Sequence, residues 1–147
     1  MMTYAPPSDP AIADILKAAK TFAVVGASNK LARPSYGVMR YLLANGYRVV
    51  PVNPGLAGQE IHGQPVVADL SSISNPIDVV DVFRNSDAAL DIVRAAIREK
   101  DRLAIKAVWM QIGVINEQAA NEAAAAGLAV VMDRCPKIEI PRLGLLR

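Results

Sequence analysis

The sequence predicts an α/β protein, a doubly wound and mainly parallel sheet in a single domain. Three observations carry this. Five short valine-rich runs recur along the chain: FAVVG at 22–26, VVPV at 49–52, VVDVF at 79–83, AVWM at 107–110 and LAVVM at 128–132. They do not alternate cleanly with polar residues, which is how strands buried on both faces read. Helical segments separate them, so β and α units alternate from residue 22 to the end, and right-handed crossovers wind such units around one sheet. Finally, 147 residues that are 52% hydrophobic, with no linker, internal repeat or low-complexity tract, suit one domain with a substantial core.

Each element has its own signal. DPAIADILKAAK is a helix capped by Asp9, with Pro10 in its first turn and Ile12, Ile15, Leu16 and Ala19 on one face. PSYGVMRYLLANG starts at Pro34, stops at Gly46 and turns Val38, Met39, Leu42 and Leu43 inward. PVVADL at 65–70 is a weaker sixth strand, inside the least regular stretch, Gly55 to Asn75, which is expected to cross the sheet by a short strand and turns. NSDAALDIVRAAIREK carries Leu90, Val93 and Ile97 as its stripe, with basic residues in the last turns. NEQAANEAAAAG starts at Asn116 and stops at Gly127, and its inward face of alanines allows close packing on the sheet.

Composition narrows the function. Sixteen Lys and Arg against fourteen Asp and Glu give +2, spread along the chain, unlike the concentrated basic face of a nucleic-acid binder. The single cysteine, Cys135, permits no disulfide within the chain, which fits a reducing compartment. No apolar run is long enough to span a bilayer, and MMTYAPPSDP lacks the basic start and apolar stretch of a secretory signal. A soluble cytoplasmic protein is expected, without nucleic-acid or membrane partners. Small α/β domains often pair, so a homodimer is within expectation.

Open α/β sheets bind ligands beyond the carboxyl ends of their strands, where strand order reverses. In this chain the strand ends carry Gly26-Ala27-Ser28, Val52-Asn53-Pro54, Phe83-Arg84-Asn85, Gln111-Ile112-Gly113 and Asp133-Arg134-Cys135. Gly26 suits the tight turn out of the first strand, but Ser28 and Leu31 stand where a G-x-G-x-x-G loop needs glycine. The helix start moves on to Pro34. Free amides at Ser35, Tyr36 and Gly37 with the helix dipole would form an anion site, with the Ser28 and Ser35 hydroxyls and the charges of Lys30 and Arg33 beside it. Arg33 is the better bidentate phosphate partner. After the second strand, Asn53 and Pro54 occupy the place where a nicotinamide-binding domain has a ribose-binding acid.

These residues resemble a known family. VVGAS, RPSYGVMRYLLANGYRVVPVNP, DVVDVFR, VWMQIGV and AGLAVVMDRC, in this order, are similar to the small stand-alone CoA-binding proteins and to the CoA-binding domain of the succinyl-CoA synthetase α subunit, over about residues 20 to 143. The resemblance implies a Rossmann-like fold, residues 1–147 as one CoA-binding domain with a helix in 1–20 packed on it, and coenzyme A or an acyl-CoA as ligand. It implies that Gly26, Ala27 and Ser28 line the diphosphate with Lys30 and Arg33 near the phosphates. Val52, Asn53 and Pro54 would border the adenosine, while Phe83, Arg84, Gln111 and Gly113 would flank the pantetheine arm. The synthetase's catalytic histidine belongs to a second domain outside the stretch of resemblance, and His62, the only histidine of this sequence, reads as a solvated loop residue. No nucleophile–base pair or metal-ligand cluster is legible, so no catalytic residue is predicted. Two alternatives stay open: an NADP-dependent oxidoreductase, permitted by the basic loop, and a subunit lending its CoA site to another chain. Cys135, at the ligand-facing edge between Arg134 and Pro136, could form a mixed disulfide with CoA if Arg134 lowers its pKa. Trp109 and Met110 read as core.

Overall fold

The valine-rich runs are strands because their β-branched side chains suit a pleated surface covered on both sides. In the computed structural model, which describes residues 3–147, they form β1 (Thr21–Val25), β2 (Arg48–Val52), β5 (Val79–Val82), β6 (Ala107–Met110) and β7 (Ala129–Val131). Two two-residue strands, β3 (Glu60–Ile61) and β4 (Gln64–Pro65), make a separate antiparallel hairpin. The five-stranded sheet runs in the order β2-β1-β5-β6-β7, every pair parallel. The expected sixth strand over 65–70 shrinks to one parallel bridge, Val67 to Val52, at the outer edge of β2. Residues 70–72 turn instead into a single 3₁₀ turn capped by Asp69, whose carboxylate accepts from the Ser72 amide and from both the Ser71 and Ser72 hydroxyls. Those bonds hold Asp69 below the usual carboxylate range. Counting the bridge as a vestigial third strand gives the doubly wound order 3-2-1-4-5-6, which reverses at β1.

Five helices cover the two faces: α1 (Asp9–Ala18), α2 (Pro34–Ala44), α3 (Ser86–Leu103), α4 (Glu117–Ala125) and α5 (Pro136–Arg142). One core unites Ala23, Val80, Val82 and Val108 with Ala89, Val93 and Ala96 of α3 and the alanines 119, 120 and 123 of α4. The opposite core unites Phe22, Val24, Val79 and Trp109 with Ile12 and Leu16 of α1, Met39 and Leu42 of α2, and Ile140 of α5. Trp109 and Met110 are fully buried, as the sequence suggested.

Several local expectations change. Ser8, not Asp9, caps α1, accepting from the Ala11 amide at 3.3 Å. Asp9 instead makes two bonds with Arg142, at 2.8 and 3.0 Å, tying α1 to α5. On α3 the fully buried stripe is Ala89, Val93, Ala96 and Leu103, while Leu90 and Ile97 are half-buried at its flank. Helix α5 was not legible. Its seven residues are too few to display a helical period, and prolines stand at both 136 and 141. Residues 1 and 2 of the expected N-terminal segment lie outside the described residues. Among those described, no helix is long and apolar enough to cross a membrane.

Candidate functional site

Because the five strands are parallel, their carboxyl ends share one edge. The loops leaving them enclose a cleft of about 1150 Å³. Twelve of the fourteen residues singled out from the sequence line it: Gly26, Ala27, Ser28, Lys30, Arg33, Ser35, Val52, Asn53, Pro54, Phe83, Arg84 and Gln111. Tyr36 and Gly113 do not. The Tyr36 ring stacks against His62 at 4.2 Å and its carbonyl accepts from His62 Nε2 at 2.8 Å, so both serve to hold the β3–β4 hairpin on α2. The Gly113 amide donates to the Asp133 carboxylate at 2.8 Å, away from the cleft wall.

Gly26 is required where it stands. Its φ is +89°, and a Cβ there would meet the Arg84 side chain at 3.0 Å and the Phe83 carbonyl carbon at 3.1 Å. The turns after β1 and β5 therefore close on one another only through a glycine, at the point where the strand order reverses.

The loop after Gly26 works differently from its expected form. The amides of Gly26 and Ala27 donate to the Val52 carbonyl, at 3.0 and 3.2 Å. The Ser28 amide donates to Ser35 Oγ, and the Lys30 amide to Ser28 Oγ, both at 3.1 Å. The Tyr36 amide, expected to be free, donates to the Arg33 carbonyl. These amides are spent on the fold. An accepting hydroxyl still has its own proton, so Ser28 and Ser35 are each left with one O–H to donate. Lys30, Arg33 and Arg84 are exposed, and none forms an ion pair among the described residues. The chemistry of this corner is hydroxyls and cations beside the Ser35 amide, which makes no hydrogen bond outside its helix among the described residues.

Asn53 explains the missing acid. Its side-chain N–H donates to the Ala27 carbonyl at 2.8 Å, and its Oδ1 accepts from the Gly55 amide at 2.8 Å. An aspartate could supply the second bond but not the first. The residue clamps the end of β2 to the loop after β1, and its polar groups are occupied by the protein.

Other parts of the cleft were not foreseen. Leu56, Ala68, Asp69 and Leu70 come from the irregular crossing, and Asp91, Ile92 and Ala95 from the flank of α3. At another part of the wall stand Val114 and, from the unpredicted α5, Ile138, beside Ile112 and Cys135, which the sequence had placed at strand ends. No local pattern marked the unforeseen residues, because distant segments reach the cleft only through tertiary packing. Gln111 is 6% exposed and its Oε1 has no hydrogen-bond partner. Cys135 is 7% exposed. The Arg134 guanidinium donates to Glu139 at 2.9 Å, so its charge is engaged by that carboxylate.

A second buried polar group is not among the residues lining the cleft. Asp81, in β5 between its register partners Val24 and Trp109, is fully buried, with neither carboxylate oxygen bonded among the described residues. Burial alone pushes its pKa well above the usual carboxylate range. Among the described residues no group of three or more His, Cys, Asp or Glu side chains could hold a metal ion.

Comparison with known proteins agrees with this architecture. A sequence profile described as "CoA binding domain" matches residues 20–141. The YneT protein of Bacillus subtilis strain 168 is 37% identical over 132 residues, covering 90% of this chain and 93% of its own. The structure of cell-free ID.343 from Thermus thermophilus superposes with a TM-score of 0.86 at 38% identity, over 93% of this chain and 99% of that one. The dinucleotide-forming acetyl-coenzyme A synthetase 1 of Ca. Korarchaeum cryptofilum shares the fold, with a TM-score of 0.61 at 24% identity over 78% of this chain and 26% of its own.

Proposed function

The chain belongs to the family of CoA-binding domains, and on that premise we propose that the cleft holds one molecule of coenzyme A or an acyl-CoA. The observation that supports this best is the distribution of charge around the reversal point of the sheet. Lys30, Arg33 and Arg84 and two donor hydroxyls stand at one corner, and Leu56, Leu70, Ile92 and Ala95 give the wall apolar surface, with Asp69 and Asp91 its acidic members. CoA carries a diphosphate and a 3′-phosphate at one end and a long, weakly polar arm at the other. In this reading the Ser28 and Ser35 hydroxyls and Arg33 receive the phosphates, with Lys30 adding charge. Val52 and Pro54 border the adenosine, with Asn53 fixing their position. Phe83, Arg84 and Gln111 flank the pantetheine arm. NAD would find a committed asparagine where its ribose needs a carboxylate. The function is binding and presentation of CoA.

The test is calorimetric titration with CoA, dephospho-CoA and NADP, for the wild type and Arg33→Ala. Loss of a charged hydrogen bond weakens binding by about tenfold to a hundredfold. If Arg33 holds the 3′-phosphate, the loss is greater for CoA than for dephospho-CoA. Equal losses move it to the diphosphate. Binding of NADP without CoA would overturn the proposal, as would release of NADP alone from denatured native protein, read by mass.

A further inference from the structure

We propose that Cys135 is a site of reversible covalent attachment, where the thiol exchanges with a disulfide of CoA and leaves one CoA joined to the protein. This rests on the reading of the cleft as a CoA site.

The first observation is placement. Cys135 lines the cleft and also a smaller hollow of about 300 Å³, so it sits where the two meet. It begins α5 without its side chain capping that helix, so the sulfur makes no bond in the service of the fold. The backbone around it is pinned. Trp109 Nε1 donates to the Arg134 carbonyl at 2.8 Å, and the Arg134 amide donates to the Met110 carbonyl at 3.3 Å. The Cys135 carbonyl accepts from the Ile138 and Glu139 amides, at 3.0 and 2.9 Å. A thiol held this way loses little freedom when a second sulfur is brought to it.

The second observation is Gln111. It lines the same cleft and is 6% exposed, and neither end of its amide is bonded among the described residues. Oε1 is sealed from solvent, so the end within a ligand's reach is the Nε2 donor, and a buried donor without a partner calls for an acceptor from a ligand. The pantetheine arm carries amide carbonyls and ends in a sulfur. A carbonyl accepting from Gln111 Nε2 sets the arm along the wall on which Cys135 stands.

The reaction balances without any group beyond the two partners. The Cys135 thiol gives up its proton to solvent, and the thiolate attacks one sulfur of the CoA disulfide. The Cys135–CoA bond forms as the bond between the two CoA sulfurs breaks. The electron pair of the broken bond leaves on the second CoA, which takes up a proton as free thiol. The Cys135 sulfur is oxidised, one CoA sulfur is reduced, and the CoA disulfide is the oxidant. With the Arg134 charge tied to Glu139, the driving factor is the high local concentration of the bound disulfide.

The experiment is intact-mass analysis under non-reducing conditions after incubating reduced protein with CoA disulfide. The expected result is a gain of one CoA less two hydrogens, on the peptide containing Cys135, reversed by dithiothreitol. It should form roughly tenfold or more faster than the glutathione adduct from glutathione disulfide, and excess desulfo-CoA, which has no thiol, should slow it. Cys135→Ser should gain nothing, while peptide mapping of the wild type locates the adduct independently of how that variant folds. If desulfo-CoA binds by calorimetry but CoA disulfide adds no mass, the attachment site is refuted and the CoA reading stands. Equal labelling by glutathione disulfide, with no protection by desulfo-CoA, also refutes it. If desulfo-CoA does not bind at all, it is the CoA reading itself that fails.

Discussion

At the scale of single residues, two positions carry more information than their neighbours. Asn53 uses both ends of its amide to hold β2 to the loop after β1. Asn53→Asp should cost about 1–3 kcal/mol, because it removes the donor to Ala27 and sets a carboxylate against a carbonyl. Urea denaturation of the variant measures this, and a loss no greater than an exposed Asn→Asp control contradicts it. Asp81 is the other. Its folded pKa is raised by burial with no partner, above the unfolded value of about 3.9. The folded state therefore keeps a proton that the unfolded chain has lost. Stability falls as pH rises from the unfolded pKa up to the folded one, with a slope of at most about 1.4 kcal/mol per pH unit. Asp81→Asn should remove that slope, so wild type and variant diverge as pH rises above the unfolded pKa, in favour of the variant. Parallel pH profiles would contradict the assignment. Both residues lie in strands or at their ends; along the chain Asp81 shows only as a polar interruption of an apolar run, and Asn53 as the absence of a ribose-binding acid, not as a clamp.

At the scale of elements, helix ends show what local pattern does and does not encode. The start of α4 was legible, since Asn116 precedes an alanine-rich stretch and its Oδ1 accepts from Ala119 at 2.9 Å. The start of α1 was misplaced by one residue, because Asp9 is drawn into a tertiary pair with Arg142 and Ser8 takes the cap. The end of α3 is unusual. Ala104 is left-handed, with φ of 56°, and its amide donates to the Lys100 carbonyl. That conformation is costly for a residue with a Cβ. Ala104→Gly should stabilise the protein by about 0.5–1 kcal/mol, the gain in backbone strain exceeding the entropy of glycine. Chemical denaturation with an unchanged slope checks this, and destabilisation would contradict it. Helix α5 depends on tertiary contact: seven residues with two prolines gain their helicity from Ile140 in the core and from the bonds Glu139 accepts from Arg134 and Arg142.

At the scale of the molecule, α5 closes the structure by joining the chain's two ends. Arg142 bridges the buried Glu139 and Asp9, and Arg147 lies over the Tyr47 ring at 4.1 Å while donating to carbonyls at the end of α1. Arg142→Gln should lower the thermal midpoint more than Asp9→Asn, because it also takes a partner from a carboxylate that is 4% exposed. Equal shifts would mean Arg134 alone satisfies Glu139. The sequence by itself determined the strands, the helices between them, the parallel sheet and twelve residues of the cleft. Valine runs, caps and glycines act on their nearest neighbours, and parallel winding brings every strand end to one edge. Tertiary structure alone decided the rest. The Tyr36 amide was expected to be free, but it donates to the Arg33 carbonyl, and the amides of Gly26, Ala27 and Ser28 are held by Val52 and Ser35. Tyr36 was lost to His62, and Ile138 was gained from a helix with no signature of its own. A residue's type is visible along the chain, but its hydrogen-bond partner is chosen across space, and the partner decides whether a group serves the fold or a ligand.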